Sequence, residues 1–216
     1  MMLTKRDKAI INNLNKFRVM DRNSIAELYF ANVKNPINAA NTVLLRLWRD
    51  GHIQRSTSFE PYVYFGPEVQ MKKNSAKINH FLTIVDLYKE LKNLGNLEMF
   101  LVEPKYGKKG ECAEPDVFLR YRKTNFFVEC QRTLYSPKQM SDKLARYIDL
   151  YNSGLIATDP FPHVLILSEE HYAIGNDYPF QIFQSKTFTD FVQSLKQITK
   201  PINNTDKEGI IIRIGS

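Results

Sequence analysis

The sequence predicts a mixed α+β / α/β chain in two parts, residues 1–70 and residues 75–216. Three observations predict it. Over 3–67, three helical stretches precede two short β-type runs. Over 76–170 the order becomes helix, strand, strand, strand, helix, strand. Between the two lies a polar stretch, Pro67 to Asn74, that includes Glu68, Gln70, Lys72 and Lys73 and has the composition of a connection. With 216 residues and 43% hydrophobic content, the chain has room for one large or two small cores.

The elements follow in order. Thr4 and Asp7 have the spacing of a capping box, and Ile10, Ile11, Leu14 and Phe17 follow at helical intervals. A second short helix, capped by Asp21 or Ser24, carries Ile25, Ala26, Leu28 and Tyr29. Asn35-Pro36 opens a third, with Asn as the cap and Pro in the first turn, and Gly51 stops it. Its expected buried stripe is Ala40, Val43, Leu44 and Leu47, which also draws Trp48 toward the core. Asn38, Asn41, Thr42, Leu45, Arg46 and Arg49 fall on the other side. Residues 53–57 and 62–65 then read as two strands joined by a tip.

In the second part a helix over 78–94 ends at Gly95 and a strand follows at 99–102. Val117-Phe118-Leu119 and Phe126-Phe127-Val128 flank the polar Arg122-Lys123-Thr124-Asn125, the pattern of a hairpin. With Lys123-Thr124 as the turn, Phe118 faces Glu129 and Asp116 faces Gln131. Asp116, Glu129 and Gln131 then share one face, with the two carboxylates diagonal and roughly 7–8 Å apart along the backbone. Such a pair can hold a divalent ion at about 2.1 Å from oxygen, or it can be two unrelated strand residues. Cys130 points to the opposite face. Ser136-Pro137 opens a helix with Met140, Leu144, Tyr147, Ile148 and Tyr151 at helical spacing, ended by Gly154. A buried strand is expected at 162–167, a helix near 187–198 and a last strand at 209–214.

Composition narrows the function classes. No apolar run reaches about 18 residues, so no membrane partner is expected. The N-terminus leads into an amphipathic pattern and not a signal peptide. Two cysteines, Cys112 and Cys130, make neither a disulfide framework nor a zinc site, and are expected as thiols in a cytoplasmic protein. His52, His80, His163 and His171 have no metal-ligand spacing. The net charge is +7, and up to Lys73 twelve Lys/Arg stand against six Asp/Glu, a balance of +6. Basicity concentrated in one segment points to a polyanionic partner.

Three short helices and a β-hairpin over 3–67 resemble the winged helix-turn-helix fold. That resemblance implies binding of double-stranded DNA, with the third helix entering the major groove. Asn38 and Asn41 are then the candidates for adenine edges and Arg46, Arg49 and Arg55 those for phosphates, with Thr42 a further DNA-binding candidate on the same face. A winged helix used as a protein-interaction platform remains the alternative.

The element order over 76–170, with Pro115-Asp116 and Glu129-x-Gln131, resembles the PD-(D/E)XK nuclease-like superfamily. The resemblance implies Asp116, Glu129, Gln131 and Lys143 as the catalytic set if the site is active, with Asp116 and Glu129 holding Mg²⁺. Lys143 and Tyr147, four apart on one helix, match a polar residue and a Tyr found in some branches. Gln131 stands where such nucleases place Lys, and a neutral amide cannot stabilise developing charge as an ammonium does. Both halves together resemble the replication-relaxation family, found on plasmids, conjugative elements and phages. The resemblance implies a DNA-binding accessory or regulatory protein acting in replication, mobilisation or transcription, with a catalytically weak second domain. Replication or mobilisation proteins and a second copy of the chain are further partners it allows. An Mg²⁺-dependent endonuclease is the alternative, and a winged-helix repressor with a dimerisation or sensor domain a further one.

Overall fold

The computed structural model describes residues 2–108 and 110–198, so the strand expected at 209–214 lies outside the described residues. Among them the chain forms six helices and two sheets, a mixed α+β architecture. The first sheet belongs to the N-terminal part. Helix α1 (Lys5–Phe17) starts at the expected box, where Thr4 accepts from the Asp7 backbone and Asp7 accepts from the Thr4 backbone. Strand β1 (Val19–Asp21) follows, then α2 (Arg22–Phe30), α3 (Pro36–Arg49), β2 (Gln54–Ser56) and β3 (Val63–Phe65). Asp21 caps α2 and Asn35 caps α3. The three strands lie in the order β1-β3-β2, antiparallel throughout. β1 has no counterpart in the sequence reading, because three residues are too few to display a period.

The C-terminal part begins with α4 (Ile78–Leu94), followed by β4 (Leu97–Val102), β5 (Val117–Tyr121), β6 (Thr124–Cys130), α5 (Pro137–Asn152), β7 (His163–Leu167), β8 (Ile182–Ser185) and α6 (Phe188–Ile198). Its sheet runs β4-β5-β6-β7-β8, with β4, β5 and β6 antiparallel and β6, β7 and β8 parallel. α4 and α6 pack on one face and α5 on the other.

The hairpin register differs from the expected one by two residues. Tyr121 pairs with Thr124 and Val117 with Val128, so the turn is Arg122-Lys123. Both turn residues have positive φ, 48° and 66°. Two such residues make the turn whose twist suits a tight hairpin, while β-branched Thr124 is better placed in the strand. Continuing the register one step puts Asp116 directly opposite Glu129 instead of diagonal to it. A shift of two keeps the faces unchanged, so the grouping of the carboxylates survives the altered register.

One buried core crosses the connection at 67–74. It joins Ile10, Leu14 and Phe17 of α1 to Phe81, Ile84 and Leu91 of α4 and to Val117, Leu119 and Phe126 of the large sheet. The Phe17 ring lies 5.0 Å from Tyr88 and 5.9 Å from Phe100. Arg18 and Glu103 form an ion pair at 2.6 Å, and Lys89 and Glu27 another at 3.2 Å. The break between the parts is therefore a break in chain path and not in packing.

Candidate functional site

Two surfaces combine the candidate residues. The first is the outer side of α3. Ala40, Leu44 and Leu47 are buried, and Asn38, Asn41, Thr42 and Arg49 face outward, as the helical spacing dictates. Thr42 uses its hydroxyl on the Asn38 carbonyl at 3.0 Å, so its donor is spent within the helix. Among the described residues Arg49 and Arg55 make no ion pair.

Arg46 differs from its neighbours. Its Nη2 donates to Asp7 Oδ1 at 2.6 Å, and the Asp7 side chain is 1% exposed. The pair ties α3 to the start of α1. Burial pushes the Asp7 carboxyl up, but bonds from Arg46 and Thr4 and the attraction of the guanidinium outweigh it and hold the group below its ordinary value. Arg46→Ala is expected to cost about 2 kcal/mol at pH 7, because a buried carboxylate loses its partner. A depressed carboxyl contributes stability above its unfolded value of about 3.9, and that contribution disappears as pH falls through the folded value. The loss should therefore shrink toward pH 3 in urea titrations. Equal stability of both proteins at pH 7 would show the pair to be idle.

Trp48 also departs from expectation. It is 38% exposed and not part of the core. The Arg55 guanidinium lies 3.6 Å over its ring and 5.7 Å from the ring of Tyr62. Arg55 reaches from β2 across to α3, a contact that local spacing cannot reveal.

The second surface is the carboxylate pair at the end of β5 and β6. Glu129 is 2% exposed. Its Oε1 accepts from the Tyr147 hydroxyl at 2.6 Å, and its Oε2 accepts from Lys143 Nζ at 2.5 Å. Lys143 and Tyr147 stand one turn apart on α5 and reach the same carboxylate. Asp116 Oδ2 accepts from the Cys130 backbone at 2.8 Å, and its Oδ1 lies 3.3 Å from His80 Nε2 on α4. Gln131 turns away, its amide donating to the Thr133 carbonyl at 2.6 Å. A cavity of about 410 Å³ opens over the cluster, lined by His80, Asp116, Gln131, Arg132, Tyr135 and Lys143 among others.

The electrostatics follow from burial. Desolvation, and then the Asp116 charge, push Glu129 up to about 7, against the pull of Lys143 and Tyr147. Burial disfavours the Lys143 charge, but Glu129 and Asp116 more than restore it and raise the group. The hydrogen bond to Asp116 raises His80 despite its desolvation. Each carboxylate thus has its own basic neighbour within the chain, Lys143 for Glu129 and His80 for Asp116.

No family model, curated protein or solved structure matches this chain. Mg²⁺ needs near-octahedral oxygen ligands, commonly one or two carboxylates with several waters. Here both Glu129 oxygens are hydrogen-bonded and the outer Asp116 oxygen faces His80. Among the described residues no three His, Cys, Asp or Glu side chains group as a metal site. The arrangement does not fit a divalent ion unless Lys143 and His80 withdraw. Of the sequence candidates, Asp116, Glu129 and Lys143 come together, and Gln131 borders the cavity without joining them. His80 was missed, and its 36-residue separation from Asp116 left no local signal.

Proposed function

We propose that the chain is a DNA-binding accessory or regulatory protein of a mobile element, acting in replication, mobilisation or transcription. Residues 1–70 serve as a winged helix-turn-helix, and residues 75–216 as a nuclease-like scaffold with weak or no catalysis. The mobile-element setting rests on the family resemblance alone. The observation that carries DNA binding is the outer side of α3, where Asn38 and Asn41 are exposed near Arg49 and Arg55, which make no ion pair among the described residues. Asn offers paired donor and acceptor groups to adenine edges, and arginines release counterions from phosphates. Weak catalysis is supported by the two occupied oxygens of Glu129.

One observation favours a second reading, an Mg²⁺-dependent endonuclease. Lys143 brings to Glu129, from α5, the ammonium that Gln131 does not supply. A pair of assays separates the readings. In gel shifts, Arg49→Ala/Arg55→Ala should weaken binding to all duplexes and lower the slope of log K against log salt by about two. Unaltered binding would remove α3 from the interface. Supercoiled plasmid should stay intact with Mg²⁺ or EDTA. Brisk Mg²⁺-dependent nicking that disappears in Asp116→Asn would establish the endonuclease.

A further inference from the structure

The wing side of α3 carries more than phosphate-binding charge. A cavity of about 400 Å³ lies between α3, the start of α2 and the hairpin tip. Arg22, Asn41, Arg55, Glu60, Tyr62 and Tyr64 are among the residues that line it. Tyr64 is 4% exposed and belongs to the core, whereas Tyr62 is 43% exposed. The Arg22 backbone donates to the Tyr62 carbonyl at 3.0 Å, which fixes α2 against the tip. Among the described residues neither Arg22 nor Arg55 has an ion-pair partner, although Glu60 borders the same cavity.

A surface meant only for duplex phosphates needs cations and polar groups. This one adds exposed Leu45, Trp48 and Tyr62, with a guanidinium stacked on the indole. Flat aromatic and guanidinium faces, with two arginines against one glutamate, suit an unpaired nucleotide, whose base stacks while its phosphate is neutralised. A base inside a duplex has both faces covered and cannot use such a wall. The volume lies within the range of small-ligand pockets.

We propose that this cavity holds one unpaired nucleotide of a single-stranded segment adjoining the duplex. The base stacks on the exposed ring of Tyr62, beside the Arg55–Trp48 stack. Arg22 takes the phosphate. The DNA would then be a duplex with a single-stranded tail or gap, which deepens the proposed function and rests on the same DNA-binding reading of α3.

The test uses the full chain and three labelled DNAs: a blunt duplex, the same duplex with a five-nucleotide dT tail, and free oligo-dT. Fluorescence anisotropy should give about ten-fold tighter binding to the tailed duplex than to the blunt one. Trp48 is the sole tryptophan, so its emission should change more with the tailed duplex than with the blunt one. Tyr62→Ala should bring the tailed and blunt constants together, and Tyr62→Phe should keep them apart. Equal binding of tailed and blunt DNA by the parent chain, or a tail advantage that survives Tyr62→Ala, overturns the proposal. Loss of blunt-duplex binding with oligo-dT still bound would sink the duplex reading of α3 and leave the cavity standing. Failure to bind any of the three would remove both.

Discussion

Lys143→Met is expected to destabilise the fold by about 3 kcal/mol at pH 8 and by little at pH 5. Removing one partner of a buried ion pair leaves the other charge without compensation, and Glu129 is almost wholly enclosed. The pH dependence comes from Glu129 itself. Its folded value, about 7, lies above the unfolded value of about 4.3. The folded chain therefore holds this proton more tightly. The stability it contributes is fully present below about 4.3 and is lost as pH rises through about 7. The Lys143–Glu129 attraction adds to that of Asp116 only where Glu129 is ionised, so the two proteins should diverge as pH climbs through that window. His80 acts in the same direction, because its folded value is also raised. Its contribution is present below about 6.5 and fades as pH rises through the folded value. Urea titrations at pH 5 and pH 8 measure the difference. An equal loss at both would assign the effect to packing of the lysine stem and not to the ion pair.

What the sequence disclosed was what short range determines. The caps at Thr4, Asn35 and Ser136 involve residues three apart, and all three were readable. So was the common face of Asp116 and Glu129, because period two survives an error of two in register. The register is not fixed by that period, because either Thr124 or Arg122 can accompany Lys123 in the turn. β8 escaped because its four residues, Ile-Phe-Gln-Ser, are all half-buried and do not alternate. The chemistry of both surfaces depends on long-range contacts. Arg46 meets Asp7 from 39 residues away, and His80 meets Asp116 from the helix before the sheet. Trp48 was misplaced for a related reason. Its closeness to Leu44 and Leu47 in sequence suggested the core, but at the end of α3 it meets Arg55 and solvent instead.

The second large effect is expected from Phe17→Ala, a loss of about 3–5 kcal/mol felt by both parts of the chain at once. Phe17 is 0% exposed and belongs to α1, yet it packs on Tyr88 of α4 and Phe100 of β4. The cavity left by truncation would lie where the two parts share their core. Trp48 emission reports on the N-terminal part, and amide exchange of β5 and β6 reports on the large sheet. Both should lose stability by similar amounts, in one transition. Independent folding of 1–70 and 75–216 predicts otherwise: Trp48 would melt early while β5 and β6 kept their protection. The outcome bears on function through α4, which carries Tyr88 into the shared core and His80 to Asp116. If the chain unfolds as one unit, DNA bound at α3 stabilises the carboxylate cluster as well. At a hundred times the dissociation constant, that stabilisation is about 2.7 kcal/mol. Saturating duplex should then slow exchange of the β5 and β6 amides that open by global unfolding, although neither strand is part of the proposed DNA interface. Unchanged exchange, with binding verified in the same sample, would mean that the shared core does not couple the two surfaces.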